Sequence, residues 1–496
     1  MQRKLPLALA SSLLFSTAAF AQEGRLLLQL YSPGSGGTIG FGSYGHSVCT
    51  IGDVDGDGWQ DMAVGHPNSQ GAQTYGRVQL VSGQSGTPIL DCVATQVGTL
   101  GLDVAEAGYV DGDLVPDVIA LGINGYAVFS GSTGAVLLQQ SVPATGAARV
   151  DDWDGDSVTD IAYVASGNLY VRSGANGTLT TVAAATEAIS IRDGQGSTDR
   201  LLVSLAAGTI TVHVAGAPPA WSATGYSKIA AAGDLNQDSY EDVLAVSGSN
   251  VHVLSGSDGS ILLNAPVTGS DALAGGVDLD GDNTVDFVVG DTGGRGFVRA
   301  YSGASGALLL AREGQEVGEA FGAAVAMHPG AGAASRTAVV VGVPYQFSGS
   351  NEHGALQVLA NAGPGEFDGS FRPFGPTCTY QHTYIRPGGS RPTIGQSYGF
   401  RFVSNSQVAG FTLLAYGLSN TTWNGIPLPV VIPTGLSCQL LISPDALITH
   451  NMSQWASLNI PLNSALSGYT LYVQAWEVLG YPNIQASDAA TIVIGN

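Results

Sequence analysis

The chain repeats itself, and what it repeats is acidic. The stretch DVDGDGWQD at 53–61 returns as YVDGDLVPD (109–117), DWDGDSVTD (152–160), DLNQDSYED (234–242) and DLDGDNTVD (278–286). Carboxylates this close repel, each raising the cost of ionising the next. A recurring block of them therefore needs a compensating charge. Every block runs straight into a short apolar stretch, such as Met62-Ala63-Val64, Val118-Ile119-Ala120 or Phe287-Val288-Val289. A second signature follows, an alternating strand that ends in Ser-Gly: RVQLVSGQSG (77–86), YAVFSGSTG (126–134), LYVRSGANG (169–177), VHVLSGSDG (251–259) and VRAYSGASG (298–306).

With that frame two eroded copies emerge. IRDGQGSTD (191–199) keeps Asp193 and Asp199 and is followed by TITVHVAG (209–216). The last copy keeps VVVGVP (339–344) and ALQVLANAG (355–363), but its loop HPGAGAASR (328–336) has no acid. Seven units result, starting near 53, 109, 152, 191, 234, 278 and 330. A unit of about four short strands cannot bury both of its faces alone, whereas radial closure leaves only short, protected edges. The expected fold is all-β, a seven-bladed β-propeller over 22–362. The stretch RLLLQLYSPGSGG (25–37) is expected to complete the last blade beside Ala355–Leu359 and so close the ring. The 70 glycines, about double the usual ~7% share, fit many tight turns.

The first unit reads Phe41-Gly42, then the acidic block, then Val64-Gly65-His66-Pro67 and Gly76-Arg77-Val78. This resembles the FG-GAP repeat of integrin α-subunit propellers, and the resemblance extends over roughly 25–362. The Phe-Gly pair and the Gly-x-Pro are intact only in the first and last units, at Phe321-Gly322 and Gly342-Val343-Pro344. The resemblance implies structural Ca²⁺ in the acidic loops and an extracellular binding role.

The loop chemistry points the same way. Carboxylates at positions 1, 3, 5 and 9 of a tight loop, with a backbone carbonyl at position 7, give an oxygen-only ligand set. Ca²⁺ takes six to eight such oxygens in flexible geometry. Zn²⁺ would want His or Cys, and Mg²⁺ usually keeps several waters. The candidate ligands are Asp53, Asp55, Asp57, Trp59 and Asp61 in the first loop, and Asp152, Asp154, Asp156, Val158 and Asp160 in the third. The fifth offers Asp234, Asn236, Asp238, Tyr240 and Asp242, and the sixth Asp278, Asp280, Asp282, Thr284 and Asp286. Trp59, Val158, Tyr240 and Thr284 contribute only their carbonyls. The second loop has Tyr109 at position 1 and Leu114 at position 6, leaving Asp111, Asp113 and Asp117 as an incomplete set. Four Ca²⁺ ions are expected, with the second loop a candidate fifth; the fourth and seventh loops should be empty. An EF-hand is excluded because no Glu stands at position 12 and the flanks read as strands. The plain alternative, solvated acidic turns, sits poorly with four loops in register.

The first 21 residues, with Arg3 and Lys4 before an apolar run and Ala19-Phe20-Ala21 at its end, read as a secretory signal peptide. Without it, 15 Lys and Arg face 39 Asp and Glu, a formal charge of −24. That balance argues against nucleic acid and anionic membrane as partners. No later segment has the ~18 uninterrupted apolar residues of a membrane span.

Residues 363–376 read as a Gly/Pro-rich connector, and 377–496 as a small β-sandwich carrying SYGFRFV, GFTLLAY, CQLLI and YTLYVQAW. Cys378 and Cys438 are expected to pair there. Cys49 and Cys92 are placed on the innermost and outermost strands of the first blade, three ~4.8 Å steps apart, too far for a disulfide. They are expected to be unpaired and buried.

Nothing in the chain has the pattern of a catalytic site. The eight histidines come with no HExxH, GxSxG or P-loop, and His213 and His252 hold equivalent places in repeated strands. Trp153, at loop position 2, reads as core. Trp221, Tyr226, Trp423 and Trp455 are candidate stacking residues. The sequence reading is a secreted, non-enzymatic adhesion or interaction module whose partner is an extracellular protein or glycan. The alternative is a lectin or polysaccharide-active propeller.

Overall fold

The apolar runs behind the acidic blocks become the second strands of seven four-stranded sheets. They are apolar without interruption because both faces are covered. The computed structural model describes residues 25–31, 43–67, 76–193, 200–314, 318–331, 336–348, 351–352, 354–360, 370–374, 384–387, 392, 394–403, 411–432, 438–450, 455–466, 469–478 and 484–494. The leader expected at 1–21 and the disulfide partner Cys378 lie outside these residues.

Blade 1 is made of Val48–Ile51, Asp61–His66, Arg77–Val81 and Pro88–Cys92, antiparallel and in that order. Blades 2 to 6 repeat the arrangement over 103–140, 146–184, 187–224, 228–266 and 272–313. Blade 7 takes Ala324–Ala331, Arg336–Val343 and Ala355–Ala360 from the end of the propeller sequence and Arg25–Tyr31 from the beginning. Arg25 pairs with Ala360 and Tyr31 with Ala355, so the N-terminal strand closes the ring as expected. The first strands of successive blades touch in turn, and that of blade 7 touches that of blade 1.

The core is divided among the seven clefts between blades. Ala63 packs with Val104, Val118 and Phe129 of blade 2, while its neighbours Met62 and Val64 pack with Val340, Leu356 and Val358 of blade 7. One strand thus serves two clefts through its period-2 alternation. Trp153 packs at the edge of the cleft between blades 3 and 4, in line with its reading as core.

The glycines of the motif bring neighbouring blades into contact. A Cβ on Gly342 of blade 7 would lie 2.0 Å from the Gly45 carbonyl of blade 1. One on Gly65 of blade 1 would lie 2.2 Å from that of Gly101 in blade 2, and one on Gly290 of blade 6 would lie 2.2 Å from that of Gly322 in blade 7. Gly45, Gly101 and Gly322 all have positive φ. The aromatic-glycine pair of blade 1 is therefore Tyr44-Gly45, which takes the place that Phe321-Gly322 takes in blade 7. The sequence reading had assigned it to Phe41-Gly42, which lie outside the described residues. A letter match favoured Phe-Gly because Tyr44 supplies the same buried ring under a different name. Leu100-Gly101 is a third, apolar version.

Tyr44 also does something Phe321 cannot. Its hydroxyl donates to Gln79 Oε1 at 3.1 Å, deep between blades 7 and 1. Gln357 stands at the equivalent position of blade 7, opposite Val341 as Gln79 is opposite Val64, and its buried Oε1 has no hydrogen-bond partner.

Residues 370–494 form a separate two-sheet unit. One sheet orders Ser370–Phe374, Ile484–Val493, Thr470–Val478, Phe411–Gly417 and Ala446–His450; the other holds Tyr384–Pro387, Ser397–Val403 and Trp455–Asn459. Tyr398, Phe400 and Ala456 of the second sheet share a core with Leu414, Val473 and Ile492 of the first, making a β-sandwich. The stretch read as a connector, 363–376, contains the strand Ser370–Phe374, so the sandwich starts earlier than 377. Pro373 disguised it; as an edge strand it has no second neighbour to miss the N–H. Cys438 is disulfide-bonded. Cys49 and Cys92 are free, on the first and last strands of blade 1; Cys92 is buried and Cys49 half-buried.

Phe321→Tyr should therefore stabilise the propeller by about 1 kcal/mol, the usual net worth of a buried hydrogen bond. Chemical denaturation of the two chains would measure it.

Candidate metal centres

Each acidic loop joins the first strand of its blade to the second. The buried member is the aspartate at position 9, which opens the second strand or, in blade 3, immediately precedes it. Asp61, Asp117, Asp160, Asp242 and Asp286 are all 0–1% exposed. One oxygen of each accepts the N–H of position 2, from Val54, Val110, Trp153, Leu235 and Leu279 at 2.6–2.8 Å. The other accepts the N–H of the Ser-Gly glycine beyond the third strand, from Gly83, Gly131, Gly174, Gly256 and Gly303 at 2.8–3.0 Å. The two sequence signatures are thus the two ends of one bridge. The glycine is required by close approach: a Cβ there would lie 1.9–2.1 Å from the position 8 carbonyl.

Above this anchor the exposed carboxylates converge. Oxygens of Asp53, Asp55 and Asp57 lie within 4.8 Å of one another, as do those of Asp152, Asp154 and Asp156 and of Asp278, Asp280 and Asp282; in the second loop Asp111 and Asp113 converge on the buried anchor Asp117 itself. The position 1 carboxylate accepts backbone N–H groups of its own loop: Gly56 and Gly58 onto Asp53, Gly155 and Ser157 onto Asp152, Gly281 and Asn283 onto Asp278. In the fifth loop Asp234 accepts from Asp238 and Ser239, and Asn236 Oδ1 from Asp238. The N–H of position 7 always returns to the position 5 carboxylate, from Trp59, Val115, Val158, Tyr240 and Thr284 at 2.8–2.9 Å. Position 6 has positive φ in all five loops, even in the second, where it is Leu114 at φ 68.

These contacts separate two kinds of aspartate. Positions 1 and 9 use both oxygens to hold backbone. At position 5 of the first and sixth loops, Asp57 and Asp282 each hold one N–H, leaving an oxygen for a cation. In the second, third and fifth loops a turn serine reaches that oxygen, with Ser132 on Asp113, Ser173 on Asp156 and Ser257 on Asp238. The sequence reading missed these serines, although the Ser-Gly signature contained them.

The second loop differs where expected. Tyr109, in place of the first aspartate, lies with its ring 5.6 Å from the Arg149 guanidinium, which is paired with Glu106 and Asp151. Its remaining acids nevertheless converge. The fourth loop (194–199) and the acid-free tip of the seventh (332–335) lie outside the described residues.

Burial raises the position 9 carboxyls against the pull of their N–H donors. Asp61, Asp117 and Asp242 rise to about 6, Asp286 to about 7, and Asp160 rises as well. A hydroxyl from Ser132, then the Val115 N–H, holds Asp113 low.

The other candidates have structural partners. Trp221 donates to the Gly256 carbonyl at 2.8 Å and lies against Gly259 of the next blade. Tyr226 is buried and meets His252 edge-on. His213 is bonded to Ser204 at 2.8 Å. Trp423 packs at the edge of the sandwich core, and the side chain of Trp455 lies outside the described residues.

Residues 44–81 match the FG-GAP repeat family, the match opening at Tyr44. The match runs from Tyr44 to the end of the third strand of blade 1. The chain is similar to two solved structures of BBS1N in complex with ARL6DN. For the lead-soaked one, identity is 10% over 69% of this chain and 98% of the other, with a TM-score of 0.46. For the mercury-soaked one, the values are 12%, 68%, 98% and 0.46. No curated protein matches the chain. Among the described residues no helix is long and apolar enough to cross a membrane.

Two substitutions in the sixth loop should part the two kinds of aspartate. Asp282→Asn should leave stability in chelator within about 0.5 kcal/mol while abolishing any gain from calcium in that loop. Asp286→Asn, with one acceptor for two N–H groups, should cost about 1–3 kcal/mol even in chelator. Denaturant titrations with EGTA and with calcium would read both.

The raised carboxyls also set a pH dependence for the metal-free chain. Their folded values exceed the ~3.9 of an unfolded aspartate, so the folded state binds more protons between them. Stability in EGTA should fall as pH rises from 4 to 7, a trend that calcium, competing with those protons, should flatten or reverse. Midpoint denaturant concentrations across that range would show it.

Proposed function

We propose that this protein is an exported, calcium-stabilised binding module. In this reading the acidic loops hold Ca²⁺ as scaffold, and the ligand is an extracellular protein or glycan. The supporting observation is the common geometry of the acidic loops. Three different sequences bring three carboxylates together above the same buried aspartate, and in the degenerate second loop Asp111 and Asp113 meet that aspartate itself.

The ligand set fits calcium. Positions 1, 3 and 5 supply hard oxygens, and the position 7 carbonyls of Trp59, Val158, Tyr240 and Thr284 complete the set. Ca²⁺ would supply charge compensation, drawing together carboxylates that otherwise repel. Extracellular sites commonly bind at ~10⁻⁴–10⁻³ M, and tenfold saturation adds only about 1.4 kcal/mol per site. Such ions stiffen a rim; they are not cargo. The same reading makes the chain non-enzymatic, since the described histidines His46, His66, His213, His252 and His328 and the clustered acids are engaged in structural hydrogen bonds or in the loops. The tethered Trp221 and buried Tyr226 favour it over a lectin that stacks sugars on repeated aromatics.

Millimolar calcium should raise the thermal midpoint of residues 22–496 by roughly 5–10 °C over EGTA. An unchanged midpoint would sink the calcium reading. Retention on a panel of glycans and cell-envelope proteins, in calcium and in EGTA, would identify the ligand class. Saturable retention on a defined glycan would favour the lectin, and turnover of a polysaccharide would refute the non-enzymatic reading.

A further inference from the structure

Position 4 of the acidic loop is Gly56, Gly112, Gly155 and Gly281 in four blades, with φ of 76–84°. In the fifth it is Gln237, held at φ 58°. Nothing lies within 4 Å of a Cβ built on any of those four glycines, so the backbone conformation, not space, selects glycine there. Gln237 therefore carries a conformational cost that the turn itself does not require.

Its side chain reaches out of its own loop. Gln237 Nε2 donates to the carbonyl of Asn283 in the sixth loop at 3.1 Å. Asn283 is position 6 there, with φ 66°, and its own N–H donates to Asp278 Oδ2 at 2.8 Å. One peptide segment thus joins the turn of the fifth loop to the first carboxylate of the sixth. The roots of the two loops also meet, for a Cβ on Gly233 would lie 2.7 Å from Gly276 Cα. Among the described residues, no other position 4 side chain bridges two acidic loops in this way.

We propose that Gln237 couples cation binding in the fifth and sixth loops, so that filling one raises the affinity of the other. This rests on the calcium reading above. A cation in the sixth loop pulls Asp278, Asp280 and Asp282 together and fixes Asn283, whose carbonyl then holds Gln237 in its left-handed conformation. The ordering of the fifth loop is in part complete before its own ion arrives, and by linkage the reverse holds equally. Gln237 is a positioning residue; it acts through the backbone of both loops and touches neither ion.

The test is a double-mutant cycle read by calorimetric calcium titration at 0.15 M salt. The parent chain carries Asp57→Asn, Asp113→Asn and Asp156→Asn, leaving the fifth and sixth loops to bind. Asp282→Asn is then added with Gln237 present and with Gln237→Gly, a change that installs the residue the other loops use. With Gln237, loss of the sixth site should weaken the fifth about fivefold. In the Gln237→Gly background the same loss should leave the fifth unchanged. Electrostatic influence between the loops is common to both arms and cancels. Equal weakening in both arms, or none in either, would overturn the coupling while leaving calcium binding intact. A parent chain that takes up no calcium would overturn the calcium reading itself, and the coupling with it.

Discussion

The propeller depends on a buried carboxylate that spans two backbone donors. In five blades an aspartate at the start of the second strand ties the acidic turn on one side to the Ser-Gly turn on the other. A neutral amide could answer only one of those donors, and the second donor must be a glycine because a Cβ there would lie 1.9–2.1 Å from a backbone carbonyl. Strand order, turn sequence and the seat of the cluster above follow from that bond. The charge is costly to bury, as the raised carboxyls show. The divalent ion proposed to sit overhead would be a physical reason for a chain to keep it.

Much of this was legible in the sequence because the repeat showed what a single copy would hide. The period, the blade count and the closing strand at Arg25–Tyr31 came from comparing units, and the four-stranded sheets match them. The converging acids were legible because alternate positions in a tight loop point to one side. The parts that were not legible share a cause: they are contacts between one motif and another, within a blade or across to the next, which a comparison of copies does not display. The serine hydroxyls on position 5 arrive from a turn 17 to 19 residues later. Gln237 stands where four other loops have glycine, and only its partner in the next blade gives it a role. The Phe-Gly assignment went to the right letters and the wrong ring, since Tyr44 is recognisable only by its burial against blade 7.

The glycine contacts show why the motif is uneven around the ring. Tyr44-Gly45, Leu100-Gly101 and Phe321-Gly322 serve the clefts between blades 6, 7, 1 and 2, which flank the junction of the two ends of the propeller sequence. Blades 3 to 5 lie away from that junction, and their clefts are filled by aliphatic side chains such as Val203, Val243 and Leu254 together with the rings of Tyr163 and Tyr226. The motif is retained where two distant stretches of chain must be brought into register.

That junction also imposes an order in time. Arg25–Tyr31 is synthesised first among the strands of the ring, yet its partner Ala355–Ala360 is the last of them to exist. For the whole interval the strand Leu26–Leu30 has an open, aliphatic edge and nowhere native to place it, the condition under which chains aggregate or pair with each other. Blades 1 to 6 can form as they emerge, from contacts within about 50 residues, but the ring as a closed object forms only at the end, through the longest-range pairing it contains. A chain cut short before residue 355 would therefore lose its last blade and also release its first strand.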